Sequence, residues 1–247
     1  MNQMMAGAEP MSVEGGSTGV LVLHGFTGNP QSMRPLALGF VEAGFAVEQP
    51  LLSGHGTAVE DMMDTTWQDW SADAEAAYQR LAARTDSVVV AGLSMGGSLT
   101  LWLATQHPEI AGIICVNPAT QVAPEVRDFV ASMVEAGDTI MVGIGSDVAD
   151  PESPESAYAD TPLKPLLSMF DAAVHTQSAL PSATMPLLLF TSPQDHVVPP
   201  ADSDFLAEIY GGPLERVSCD RSYHVATLDY DKDLIIEKSI DFVRRVS

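Results

Sequence analysis

The chain has 247 residues, of which 46% are hydrophobic, and its 33 acidic and 11 basic side chains give a formal net charge of −22 at pH 7. This length and apolar content suit a single domain with a substantial buried core. So acidic a surface repels phosphate backbones, anionic lipid and anionic substrates, which argues against nucleic-acid and membrane-surface partners and favours a neutral or cationic small molecule.

The sequence shows no targeting or membrane-spanning signal. Residues 1–10 contain neither a basic segment nor an apolar stretch typical of a signal peptide. No run of about 18 apolar residues is present, so we expect no stable membrane insertion and a cytoplasmic location. Cys115 and Cys219 lie in apolar, strand-like runs. Because there is no dense cysteine framework, two buried thiols are favoured over a disulfide.

The first strong strand is predicted at Gly19–His24, after a shorter one at Met11–Glu14. It leads directly into the loop Gly25–Gly28. A tetrahedral intermediate needs two main-chain donors for its oxyanion, and one of them comes from a loop after an early strand. We assign that role to the Phe26 amide, with a plain glycine turn as the alternative. His24 is expected to hold the loop by hydrogen bonding rather than to act as a base.

A helix at Pro30–Ala43, a strand at Ala46–Leu51 and a helix at Thr66–Arg84 are predicted next. The last is the clearest, since Thr66 and Asp69 form a capping-box pattern at its start. One face of this helix is apolar and predicts core packing rather than a cofactor site; its residues are Trp67, Trp70, Ala74, Ala77 and Leu81.

The strand predicted at Ser87–Leu93 and the helix at Met95–Gln106 enclose a Gly-x-Ser-x-Gly pattern centred on Ser94. A serine at the tip of a sharp strand-to-helix turn has a strained backbone, and larger side chains two residues away on either side would collide. In this context we interpret Ser94 as a nucleophile rather than as part of a simple glycine-rich turn. The amide of the following residue, Met95, is the second expected oxyanion donor.

After a strand at Ile110–Val116, residues 120–183 show no strong strand and are rich in acidic residues, proline and short apolar helical patches. The segment is too long for a structureless loop in a compact domain. We therefore predict a helical cap at 120–183, inserted into a core formed by 1–119 and 184–247.

Two candidate site residues follow the last predicted strands. Asp195 lies in the turn after Leu187–Thr191, where a carboxylate can orient a histidine, although aspartate is also a common turn residue. His224 follows the strand at Glu215–Cys219 and is the only one of the six histidines placed after the last strand. The remaining predicted helices are Ala201–Tyr210 and Lys232–Val246.

Alternating strands and helices predict an α/β fold with a doubly wound, mostly parallel sheet of about six to seven strands. The site residues then occur in the chain order Ser94, Asp195, His224, which is one of the known orders of a serine-histidine-acid triad. No histidine or cysteine spacing typical of a metal site is present. We expect neither a metal nor a cofactor.

At these motifs the chain resembles the α/β-hydrolase superfamily, and more closely the bacterial monoacylglycerol lipases and small carboxylesterases. The resemblance rests on five segments, LVLHGFTGNPQSMRPLA, LSGHGT, AGLSMGG, DHVVPP and SYHVATLDYD, and extends into the cap through IGSD and PESAY.

The resemblance implies Ser94 as nucleophile, Asp195 as acid, His224 as base, and the Phe26 and Met95 amides as the oxyanion hole. It also implies that Ile144 shapes the pocket for the alcohol and that Glu155 binds glycerol hydroxyls. Simple packing of Ile144 and a solvated Glu155 are the alternatives. The expected reaction is hydrolysis of neutral, lipid-like carboxylic esters through an acyl-enzyme, with monoacylglycerol as the first candidate substrate.

Four other functions remain open. A short- to medium-chain carboxylesterase fits the same motifs. A thioesterase or a carbon–carbon hydrolase could use the same triad, because a fold does not fix a reaction. The acidic surface disfavours acyl-CoA, which carries phosphates. A ligand-binding receptor on the same fold is the alternative outside enzymes, and a complete triad argues against it.

Overall fold

A computed structural model describes residues 2–143 and 145–247 of the chain. Its strands are β1 Met11–Val13, β2 Thr18–Leu23, β3 Ala46–Gln49, β4 Ser87–Leu93, β5 Gly112–Val116, β6 Ile140–Val142, β7 Asp160–Pro162, β8 Leu187–Thr191 and β9 Leu214–Ser218. Its α-helices are α1 Arg34–Glu42, α2 Val59–Met62, α3 Trp67–Ala82, α4 Met95–Gln106, α5 Pro124–Ala136, α6 Leu163–Ala179, α7 Ala201–Ile209 and α8 Lys232–Val246.

Seven strands form the main sheet in the order β1-β3-β2-β4-β5-β8-β9. Only β1 runs antiparallel to its neighbour, and the other five pairings are parallel. The predicted doubly wound, mostly parallel sheet is therefore confirmed. Because the central strands run the same way, their carboxyl ends meet at one edge, where loops from distant parts of the chain come together.

Two hydrophobic clusters cover the two faces of this sheet. Successive residues of β2 alternate between them: Leu21 belongs to one cluster, and Val20 and Val22 belong to the other. Strands buried on both faces are expected to read as continuous apolar runs, which is why β2, β4 and β8 were recognisable from the sequence.

The predicted helix at Thr66–Arg84 is confirmed as α3, with the Thr66–Asp69 capping box formed and every residue of the predicted apolar face buried. Cys115 and Cys219 are both buried free thiols, as predicted. Most other predicted elements agree to within about two residues, a normal uncertainty for element ends. The start of α1 differs, because residues Pro30–Met33 form a 3-10 turn before the α-helix begins.

The segment 120–183 contains α5, α6 and a small antiparallel sheet made of β6 and β7. The small sheet was not foreseen, and the division of the chain into a core and a cap stays a prediction. Its strands have three residues each, and β6 has only partly buried or exposed side chains, so no apolar alternation marks it. Within the described ranges, no helix is both long and apolar enough to cross a bilayer.

Candidate active site

Ser94 occupies a strained backbone position between β4 and α4. Its φ of 56° and ψ of −120° lie outside the conformations that non-glycine residues ordinarily adopt. Such strain persists only where the surroundings impose it. Here Gly92 and Gly96 pack so closely that a Cβ on Gly92 would lie 2.0 Å from the Gly96 carbonyl oxygen. The two glycines let the turn close and present the serine at the sheet edge.

Asp195 and His224 are joined by a hydrogen bond of 2.7 Å between Asp195 Oδ2 and His224 Nδ1. Both side chains are almost completely buried, with 1% and 7% of their surface exposed. The other carboxylate oxygen, Oδ1, accepts hydrogen bonds from the Val197 and Val198 amides, each 2.8 Å long. Three donors thus fix this carboxylate, and it fixes the orientation of the imidazole ring.

Asn117, at the end of β5, links the segments that carry Ser94 and His224. Its side-chain amide donates to the His224 carbonyl at 2.8 Å, while the preceding residue, Val116, accepts a hydrogen bond from the Ser94 amide at 3.0 Å. Asn117 also bonds Ser192 at the end of β8. The backbones of Ser94 and His224 are therefore hydrogen-bonded to two consecutive residues, Val116 at the end of β5 and Asn117 directly after it.

The loop after β2 lies directly against Ser94. A Cβ added to Gly25 would be 3.3 Å from Ser94 Cβ and 3.8 Å from its Oγ, so only glycine fits comfortably. Phe26 follows at the half-buried rim, and Met95 begins α4 with its side chain fully buried. Phe26 and Met95 thus adjoin the contact between Gly25 and Ser94, one in the loop and the other at the N-terminus of α4.

His24 holds this loop, as the sequence analysis expected. Its Nδ1 lies 3.0 Å from the Gly25 carbonyl oxygen, and its Nε2 accepts the Leu52 amide at 3.2 Å. Burial lowers its pKa to about 4. The neutral ring donates from Nδ1 and accepts at Nε2, so it connects the loop Gly25–Gly28, called the oxyanion loop after its expected role, to the loop after β3.

His55 belongs to an aromatic cluster behind the oxyanion loop. Its ring lies 5.0 Å from the ring of His24, 6.4 Å from that of Phe26 and 5.6 Å from that of Trp70. Burial and, to a smaller extent, the neighbouring His24 lower the pKa of His55 to about 3. A ring that stays neutral is a packing element for Phe26 rather than a proton carrier.

Glu155 places its carboxylate beside the oxyanion loop. A Cβ on Gly28 would come within 2.8 Å of Glu155 Oε1. The residue as a whole is half-buried, but its carboxyl group is desolvated, which raises its pKa to about 7; His224 lowers that pKa and Asp147 raises it. Ile144, the other expected pocket residue of the cap, lies outside the described residues.

The segment 154–158 is bonded to the loop after β2. The Tyr158 amide donates to the Thr27 carbonyl at 3.0 Å, and the Asn29 side chain donates to the Ser156 carbonyl at 2.6 Å. The Tyr158 hydroxyl also contacts the loop after β3, donating to the Gly54 carbonyl at 2.9 Å. Residues of the predicted cap and of the predicted core thus share one wall of the site.

Sequence reasoning did not find Asn117, Asp147 or Asp229, which contact the segments around His224. Asn117 had a recognisable signal, because it is a polar residue at the carboxyl end of a parallel strand. Asp147 lies in one of the cap segments that carried the resemblance, but nothing in that segment indicated its partners. Within the described ranges, no three His, Cys, Asp or Glu side chains cluster closely enough to hold a metal ion.

The chain is similar in sequence to a known protein family and to several characterised proteins. Residues 17–231 match the family model Hydrolase_4, described as serine aminopeptidase, S33. A thermostable monoacylglycerol lipase of Bacillus sp. (strain H-257) is 45% identical over 242 residues, which cover 97% of this chain and 95% of the relative. A carboxylesterase of Bacillus subtilis (strain 168) is 25% identical over 240 residues, covering 96% and 97% of the two chains.

Solved structures resemble the whole chain. One from work on the metagenome-derived lipolytic enzymes LipS and LipT is 42% identical, covers 98% of this chain and 100% of its own, and has a TM-score of 0.94. A monoacylglycerol lipase of Paleococcus ferrophilus, with a TM-score of 0.77 over 97% of this chain and 100% of its own, is 16% identical and shares the fold alone. With the sheet order described above, these likenesses confirm the α/β-hydrolase fold.

Proposed function

The chain belongs to the Hydrolase_4 (serine aminopeptidase, S33) family, and from this premise we propose that it hydrolyses monoacylglycerols to a fatty acid and glycerol. The observation that carries the substrate class is the 45% identity to a monoacylglycerol lipase across 97% of the chain. The identity spans both the predicted core and the predicted cap, so it includes the segments that would enclose an alcohol.

In the proposed reaction, Ser94, His224 and Asp195 act in sequence. His224 takes the proton of the Ser94 hydroxyl as its oxygen attacks the ester carbonyl, and a tetrahedral oxyanion forms. The glycerol oxygen leaves with the proton from His224, which gives an acyl-enzyme. Water then attacks this ester with His224 again as base, and the fatty acid and free Ser94 are released. The 2.7 Å hydrogen bond between His224 Nδ1 and Asp195 Oδ2 supports this, because a ring that donates from Nδ1 leaves Nε2 as the nitrogen that can accept the serine proton.

The proposed oxyanion hole consists of the Phe26 and Met95 amides. Loss of one such donor typically costs about 10²–10³ in rate. Support comes from the close approach of Gly25 to Ser94 and from the bonds that His24 makes between two loops. These contacts fix the loop before substrate arrives, so its donors need no reorganisation during the reaction.

Glu155 is the proposed ligand for the glycerol hydroxyls. Its carboxyl lies beside Gly28 and, with a pKa near 7, can accept a hydrogen bond when ionised or donate one when protonated. Ile144 remains a proposed contact to the alcohol on the resemblance alone. An uncharged substrate fits the net charge of −22 better than an anionic one.

A carboxylesterase for short esters is the second candidate, favoured by the 25% identity to a carboxylesterase over 96% of the chain. The two candidates differ in the acyl and alcohol groups they accept, because both use the same acyl-enzyme chemistry. Because the family is described as serine aminopeptidase, an aminoacyl amide is a third class of substrate to test.

A hydrolysis panel separates these substrates. It compares kcat/KM for monoacylglycerols of increasing acyl length, p-nitrophenyl acetate and butyrate, an acyl-CoA and an aminoacyl anilide, with Ser94→Ala as the inactive control. We expect the highest kcat/KM with a monoacylglycerol and a loss of at least about 10³-fold in Ser94→Ala. A preference confined to acetate and butyrate esters, or to the anilide, would contradict the proposed substrate.

A further inference from the structure

Asp147 is a buried carboxylate between β6 and β7, in the segment predicted as the cap. Its Oδ2 accepts the main-chain amides of His196 and His224, each at 3.1 Å. Its Oδ1 lies 2.8 Å from His196 Nδ1, and its own carbonyl accepts the Val225 amide at 3.1 Å. The side chain thus contacts two loops of the main sheet that are distant from it in sequence.

These two loops are the ones that hold the proposed acid and base. His196 directly follows Asp195, and His224 is itself the base, so a single oxygen of Asp147 bonds the backbone on both sides of the Asp195–His224 hydrogen bond. On the opposite side Asn117 donates to the His224 carbonyl at 2.8 Å. The His224 carbonyl is therefore bonded to Asn117, directly after β5, and the His224 amide is bonded to Asp147.

A second buried carboxylate fixes the segment that contains Asp147. Asp229, with no exposed surface, accepts the Ala149 and Asp150 amides at 2.7 and 3.1 Å, and also the Tyr223 amide at 2.9 Å. Residues 149–150 and the residue before His224 are thus bonded to one side chain. Because of this, Asp147 has little freedom to move away from His224 without breaking buried hydrogen bonds, which are costly to leave unmade.

We propose that Asp147 is a positioning residue for His224: it holds the loops of Asp195 and His224 in register through their backbone amides, so that a side chain outside the predicted core sets the geometry of the triad. This inference rests on the proposed roles of Ser94, Asp195 and His224. It adds that the segment 120–183 contributes to the chemical step and does more than cover the substrate.

Replacement of Asp147 by Ala and by Leu tests the inference. Both variants remove the acceptor, and Leu keeps a side chain of similar size, so the two together separate lost hydrogen bonds from lost packing. We expect kcat and the labelling rate with a small alkyl fluorophosphonate to fall by about 10–100-fold, with KM changed much less, because small displacements of a catalytic group cost rate rather than affinity. Asp147→Asn should recover part of this loss, since one amide oxygen can still accept both backbone donors.

Asp171→Ala is the matched control, because Asp171 is a carboxylate of the same segment that pairs with Arg127 on α5. We expect it to label at the wild-type rate. The downfield proton resonance of His224 Nδ1, measured well below each melting temperature, should shift or broaden in Asp147→Ala and Asp147→Leu and stay unchanged in Asp171→Ala.

Three results would overturn the inference: labelling at the wild-type rate in Asp147→Ala or Asp147→Leu, a loss confined to KM, or an Asn variant as impaired as the Ala variant. A loss confined to KM would mean that Asp147 only anchors the substrate-covering segment. A wild-type chain that is not labelled at all would instead overturn the proposed function, and the two failures are therefore distinguishable.

Discussion

Glu155 loses its hydration beside the oxyanion loop, and its pKa rises from 4.5 to about 7. When the pKa of an acid is higher in the folded chain than in the unfolded chain, the unfolded chain releases the proton first as pH rises. The free energy of unfolding of the protein therefore falls between the unfolded-state pKa and the folded-state pKa. Glu155→Gln removes this titration. We expect the melting temperature of the variant to exceed that of the wild type above about pH 7 and to approach it near pH 4.5.

The measurement is the melting temperature of both proteins at several pH values between about 4.5 and 8. Glu152→Gln serves as the control, since Glu152 is an exposed carboxyl of the same segment and should shift the melting temperature little at any pH. A difference between Glu155→Gln and wild type that does not change with pH would show that Glu155 does not titrate in this range.

At the level of single residues, the sequence predicted the candidate site residues whose positions follow from the pattern of strands. Asp195 comes after the buried strand β8 and His224 after the edge strand β9, and together they complete the order begun by Ser94. Asn117 and Asp147 were missed because the groups of His224 that they bond are main-chain groups, a carbonyl 107 residues away and an amide 77 residues away. Every residue has such groups, so no sequence pattern singles out the contact before the fold is known.

The junction of β4 and α4 is the element on which the site depends most. Gly96 packs against the end of β2, so that an added Cβ would lie 2.3 Å from the Leu23 carbonyl oxygen and 2.6 Å from that of His24. Both contacts are to backbone, which cannot rotate away. The first turn of α4 therefore has to stay against the strand that carries the oxyanion loop.

We predict that Gly96→Ala loses both stability and activity. The added methyl must push α4 away from β2, and overpacking of this kind costs about 1–3 kcal/mol or more. Displacement of Ser94 should also lower kcat by about 10²-fold. Urea unfolding and ester hydrolysis measure the two effects.

Gly16→Ala is the control for the added methyl, because its Cβ would meet its nearest neighbour, the Gly44 carbonyl oxygen, at 3.3 Å. A Gly96→Ala variant as stable and active as Gly16→Ala would show that the β2–α4 contact can relax without consequence.

The long, periodic elements could be predicted at this scale, whereas the short ones could not. Helix α3 has sixteen residues and a formed capping box, and β4 was predicted with its observed bounds. Helix α2 has four residues, and β6 pairs with β7 across a long excursion of the chain, Ile140 opposite Pro162. Elements this short show no hydrophobic periodicity in the sequence. They are stabilised by contacts with parts of the chain that are distant in sequence, so the local sequence does not predict them.

In the whole molecule, the parallel sheet brings the candidate site residues from distant parts of the chain to one edge. The loops after β2, β4, β8 and β9 bring the oxyanion loop, Ser94, Asp195 and His224 to one edge, and Asn117 after β5 connects them. The segment 120–183 adds Glu155, which lies beside Gly28, and Asp147, which accepts the His224 amide. The chain carries 33 acidic and 11 basic residues, and a net negative charge of this size disfavours anionic ligands.

The most direct test of the account is the position of a covalent adduct on the intact chain. After incubation with a fluorophosphonate, mass spectrometry of the whole protein and of its peptides measures how many groups attach and where. We expect one adduct per chain, on Ser94, a rate lowered by at least about 10³-fold in His224→Ala, and no adduct in Ser94→Ala. An adduct on another residue, or ester hydrolysis that persists in Ser94→Ala, would contradict the account.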